Sequence, residues 1–154
     1  MDRSIIDRYA AGATLPAKAI AGMTRADLLA RPVPGRWSTQ EVIIHLMDSD
    51  LVASDRMKRI IAEDRPLLIG YNETLFVKNL GYDRLDAGLA CEIFEKNRVM
   101  TAAILRDLPP EAFQRAGIHN ERGLETLEEF VKSYADHLDH HLKFIQEKRR
   151  ALGK

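Results

Sequence analysis

Apolar residues recur at helical spacing in four long segments of this chain, and few stretches show the strict alternation of a half-buried strand, so the pattern predicts an all-α fold. The first segment runs from about Asp2 to Ile20, with Pro16 expected to kink or stop it, and Thr24-Arg25-Ala26-Asp27 can start a short extra turn. A loop rich in Pro and Gly follows from Arg31 to Arg36. Ser38-Thr39-Gln40-Glu41 then reads as a capping box, in which the Ser38 hydroxyl accepts from an orphan backbone N–H and Glu41 reaches back to the cap. This second helix should extend to about Glu63. A connection of roughly twenty residues, Asp64 to Asp83, is long enough to cross one end of a bundle and let the third helix run parallel to the second. That helix spans about Arg84 to Leu108 and is stopped by Pro109-Pro110; a polar loop holding Gly117, His119 and Gly123 leads to the last helix, about Glu125 to Leu152.

A chain of 154 residues can bury one core, and a single domain over residues 1–154 is expected. Its 23 basic and 23 acidic residues cancel, leaving no global field to attract phosphate backbones or anionic lipid, so neither nucleic acid nor membrane is expected as a partner. Cys91 is the only cysteine, which rules out an intramolecular disulfide. No run approaches the ~18 apolar residues of a membrane span, and the charged start does not resemble a signal peptide. A cytoplasmic location is expected on these grounds.

The five histidines fall unevenly on these helices. At about 100° per residue, Phe130, Tyr134, His137, His141, Ile145 and Leu152 occupy one stripe roughly 80° wide, which must face the core. His137 and His141 are one turn apart on it, so both imidazoles can approach one point. On the second helix the inward stripe holds Val42, His45, Ser49, Ala53 and Ile60. Three neutral imidazoles converging in an apolar interior would suit a transition-metal ion, with nitrogen donors at ~2.0–2.1 Å and positions left for water or substrate. Each could instead be a hydrogen-bonded packing histidine, and spacing alone leaves both readings open.

His140, about 60° from His137 on the wheel, reads as a residue supporting the site or an interface, or as plain surface. His119 reads as a surface residue or as part of the mouth of the site. Glu41, one turn before His45, could accept a proton from metal-activated water, although capping already accounts for it. Asp48, Asp136 and Asp139 could orient ligand imidazoles or simply be solvated. Cys91 reads as a small packing residue, since nothing near it in sequence would activate a thiol.

The run from Arg31 to Asp50, RPVPGRWSTQEVIIHLMDSD, resembles the second-helix motif of the DinB/YfiT-like superfamily, in which Pro-Gly-x-Trp-Ser opens the helix and the following histidine binds metal; His45 holds that place. Gly117-Ile118-His119, Glu121-Arg122-Gly123, Thr126-Leu127 and Tyr134 to His141 are similar to the family's C-terminal region, where the first and last histidines of His-x-x-His-His are the ligands. Ala62 to Pro66, with Gly70-Tyr71, is similar to its post-helix connection. The resemblance implies a four-helix bundle of up-down-down-up order, a homodimer, and a divalent ion such as zinc or nickel on His45, His137 and His141. It also implies a small-molecule substrate and either hydrolysis or transfer to a low-molecular-weight thiol; a non-catalytic metal- or ligand-binding bundle is the alternative. Phe144 departs from the YfiT-like branch, which often has a further histidine there.

Overall fold

The computed structural model describes residues 3–154, so the start of the first expected helix at Asp2 lies outside the described residues. Seven helices follow: α1 (Ser4–Ala11), α2 (Leu15–Ala19), α3 (Arg25–Leu29), α4 (Thr39–Ala62), α5 (Glu73–Leu80), α6 (Ala87–Asp107) and α7 (Leu127–Ala151). Three short strands, β1 (Leu67–Leu68), β2 (Ala116–His119) and β3 (Gly123–Thr126), form a small sheet in which β2 pairs parallel with β1 and antiparallel with β3.

Side-chain contacts give the direction of each long helix. Gln40, at the start of α4, donates to the carbonyls of Tyr82 and Leu85 just before α6, while Asp50 and Ser54 meet Asn97 and Arg98 at mid-helix. Arg115, beyond the end of α6, reaches the carbonyls of Ile60 and Glu63. Helices α4 and α6 are therefore parallel. Arg3 reaches the carbonyls of Arg106 and Leu108 and Asp7 pairs with Arg106, which sets α1 antiparallel to α6. Arg8 meets Asp136 and Asp139, and Arg149 meets the carbonyl of Ala19 beyond it, so the N-terminal helices run with α7. The order is up-down-down-up, a four-helix bundle in which the long connection between α4 and α6 recrosses one end.

The Ser38 and Thr126 caps of α4 and α7 are complete capping boxes, with Glu41 and Glu129 returning the bond. Two apolar clusters fill the bundle. One gathers Tyr9, Met57, Ile60, Phe113 and Phe130, the other Ile44, Leu46, Phe94, Leu138 and Ile145. Each such fully buried side chain contributes roughly 1.5–3 kcal/mol. Along α4 and α6 the boundary between the clusters falls at Asp50 and Arg98.

Three departures from the helical pattern have physical causes. The first helix breaks at Gly12–Thr14, a 3₁₀ turn, before Pro16, which sits comfortably in the first turn of α2. A Cβ at Gly12 would lie 2.6 Å from Leu138 Cδ2 and 2.7 Å from Arg98 Nη1, so only glycine allows this close approach. The long connection between α4 and α6 carries β1 and α5, the latter started by the Asn72 side chain accepting from the Leu75 N–H. The polar loop after Pro110 is the β2–β3 hairpin, which makes the fold mostly rather than wholly helical. No helix of the described residues is long and apolar enough to cross a membrane.

Candidate metal centre

Antiparallel packing of α4 against α7 brings His45 opposite His137 and His141, and the three rings meet with centroid separations of 5.2, 4.7 and 4.5 Å. One nitrogen from each lies within 4.8 Å of the others. His45 Nε2 and His137 Nε2 are 3.2 Å apart. Two nitrogens each ~2.0–2.1 Å from one ion at a tetrahedral angle would lie about 3.3 Å apart, so the spacing matches a shared ion. The Nδ1 atoms of His45 and His141 are buried without a hydrogen-bond partner. Polar nitrogens held this way in an apolar interior are costly unless something else satisfies them.

Burial is the main force on their protonation. It lowers all three pKa values to about 3, with neighbouring charge adding to it: His141 on His45, chiefly His45 on His137, and chiefly His137 on His141. The imidazoles are therefore neutral near pH 7, the form with a free lone pair. The Trp37 ring covers His45 at 5.1 Å. On the open side Glu73, the first residue of α5, places Oε2 3.6 Å from His45 Nε2 with its side chain 56% exposed.

His137 and Glu73 face two cavities. The larger, about 420 Å³, is bordered by Trp37, His140, His141, Phe144 and Lys148. The smaller, about 190 Å³, lies toward the sheet and is bordered by Arg56, Tyr71, His119 and Tyr134.

The remaining candidate residues separate cleanly. Both oxygens of Glu41 are occupied, Oε2 accepting from the Ser38 N–H at 2.7 Å and Oε1 from Arg31 at 2.6 Å, so it is a cap and not a free proton acceptor. Asp48 accepts from the Tyr82 hydroxyl at 2.5 Å, and Asp136 and Asp139 both accept from Arg8; none of the three orients an imidazole. His140 is exposed, its ring 5.4 Å from His141 and 4.6 Å from Phe144. His119 is buried, contrary to a surface placement, because β2 turns it toward the smaller cavity, where its Nδ1 accepts from the Glu121 N–H. Burial pushes the Cys91 thiol up to about 11, which fits a packing residue. Sequence reasoning missed Glu73, Arg56 and Tyr71. Asn72, a preferred N-cap residue, was the available signal for α5 and hence for Glu73.

Curated relatives of this chain bear the name "putative metal-dependent hydrolase". One, from Oceanobacillus iheyensis, is 32% identical over 111 residues, 72% of this chain and 64% of its own; YfiT of Bacillus subtilis is 27% identical over 143 residues, 90% of this chain and 80% of its own. The chain thus spans a little under two thirds of the length of the first. The solved structure of Bacillus subtilis YfiT, described as an unusual four-helix bundle topology, matches with a TM-score of 0.91 at 24% identity, over 97% of this chain and 86% of that one; the likeness is one of fold. Residues 12–145 match the DinB superfamily, and the chain belongs to it.

Proposed function

We propose that this protein is a metal-dependent hydrolase whose divalent ion, zinc or nickel, is held by His45, His137 and His141. The observation that carries the reading is the meeting of three neutral imidazoles, one nitrogen of each within 4.8 Å of the others. Three nitrogen donors suit either metal, and the names of the relatives support hydrolysis. Such an ion lowers the pKa of a bound water to about 7 and polarises a carbonyl oxygen.

The chain's own residues supply the rest. His45 and His141 are seated in the bundle, and Trp37 screens His45 from water, which fixes two of the three donors before anything binds. His137 faces both cavities, so a substrate reaches the centre along α7. Glu73 is the carboxylate placed to take a proton at Oε2 from the attacking water, its side chain open to the cavities and paired with no lysine or arginine among the described residues.

The test is a screen of zinc- and nickel-loaded protein against esters and amides, with low-molecular-weight thiols and an electrophile in parallel. Ester or amide cleavage that is lost in Glu73→Gln with metal retained supports the assignment. Consumption of thiol without cleavage would replace it with S-transfer, and neither activity in a fully loaded protein would leave a metal-binding bundle.

A further inference from the structure

Arg56 is an unusual resident of the smaller cavity. It is 4% exposed, yet its guanidinium finds only the Ile69 carbonyl for Nη2 and a long 3.5 Å contact with the Tyr134 hydroxyl for Nη1, while Nε has no partner. No ion pair ties it to a carboxylate among the described residues. An arginine cannot shed its charge, so a buried guanidinium with spare donors lacks a counter-anion. The Tyr71 hydroxyl, on the same cavity, is also buried, beside the Ser49 side chain but without a close hydrogen bond. His119 accepts at Nδ1, so its neutral ring carries its proton on Nε2 and adds a third donor.

The cavity leads from this cluster to the histidines. Arg56 lies about 20° around α4 from His45 and roughly 16 Å along it, and its side chain leans back toward the N-terminus, closing part of that gap. Tyr134, which Arg56 touches, stands one turn before His137 with the two rings 5.7 Å apart. Both carboxylates on this cavity, Glu73 and Glu121, are exposed at its mouth, and Arg122 is already paired with Glu125. A phosphate dianion passing those two acids is repelled more than a singly charged group.

We propose that the smaller cavity is the subsite for a carboxylate on the substrate, received by Arg56 and Tyr71 while the bond to be cleaved lies at the histidines. The second half rests on the hydrolase reading; the anion subsite does not. The probes are acetate and inorganic phosphate, titrated at constant ionic strength into zinc-loaded protein and followed by calorimetry and melting temperature. Acetate should bind, and Arg56→Met should weaken it by at least about tenfold, as expected for charge-assisted hydrogen bonds, with zinc content unchanged. In His45→Ala, without metal, the Arg56-dependent binding should persist. Acetate binding that survives Arg56→Met but vanishes in His45→Ala would place the anion on the metal and overturn the proposal. Tighter binding of phosphate than acetate, or none of either to fully loaded protein, would also overturn it. Retained acetate binding in a protein that takes up no metal would refute only the hydrolase reading.

Discussion

Two arginines of this bundle are buried about equally, and their surroundings could hardly differ more. Arg98, 1% exposed, donates from Nε to Asp50 at 2.8 Å, from Nη1 to the Tyr9 carbonyl and from Nη2 to the Tyr134 carbonyl, and its guanidinium is sandwiched between the Tyr9 and Phe94 rings at 4.4 and 4.5 Å. Asn97 completes the pairing of Asp50. This cluster ties α1, α4, α6 and α7 together where the two apolar clusters meet. Arg56, two turns further along α4, has no carboxylate paired with it and no ring stacked on its guanidinium among the described residues, only the edge of Tyr134 at its hydroxyl. A charge whose every need is met holds the fold in one arrangement, whereas a charge left short of partners is ready to receive something from outside.

Removing the partner of the satisfied arginine should have the largest effect. Asp50→Ala strands the Arg98 charge in the core and should cost about 3–5 kcal/mol in denaturant unfolding; a loss below about 1 kcal/mol would mean that the cluster does not lock the bundle. Next in size is the cap of the helix carrying both His45 and Arg56: Ser38→Ala should cost about 1 kcal/mol, measured the same way. Arg56→Met should cost nothing or raise stability slightly, because it removes an uncompensated buried charge without opening a hole. A loss comparable to that of Asp50→Ala would show that Arg56 is as fully partnered as Arg98 and end the contrast.

Protonation sharpens the same contrast at the histidines. Their folded pKa values of about 3 lie below the ordinary 6.5, so the stability that the neutral histidines contribute to the metal-free protein is fully present above pH 6.5 and is lost as the pH falls toward 3. Metal uptake at pH 6 should accordingly release almost no protons, where three ordinary histidines would release about two. Calorimetry in buffers of differing ionisation enthalpy counts them, and a release near two would place the rings in contact with water.

The three long helices α4, α6 and α7 were legible because their apolar stripes and stops are local, whereas the first segment, read as one helix, breaks at Gly12–Thr14 where close packing against Leu138 and Arg98 decides. Ser38 with Glu41 marked the start of α4 to the residue, and the inward positions of His45, His137 and His141 followed from 3.6-residue periodicity. The sheet was not legible, since Leu67 pairs with Ile118 across a third of the chain and strands of two to four residues carry no periodic signal of their own. That omission hid the site's second wall, because β2 and the segment after β1 carry His119 and Tyr71 to the cavity. Arg56 and Arg98 fall on the inward faces of α4 and α6, where sequence position says nothing about whether a counter-charge is present. Only the packing of four helices reveals that one has found an aspartate and the other has not.

The central claim, one ion on three imidazoles from two helices, is most directly tested by elemental analysis of chelator-free protein beside His45→Ala and His137→Ala. About one zinc or nickel per chain is expected, lost from both variants while they remain folded; an unmodified protein that holds no transition metal even after reloading would rule the centre out.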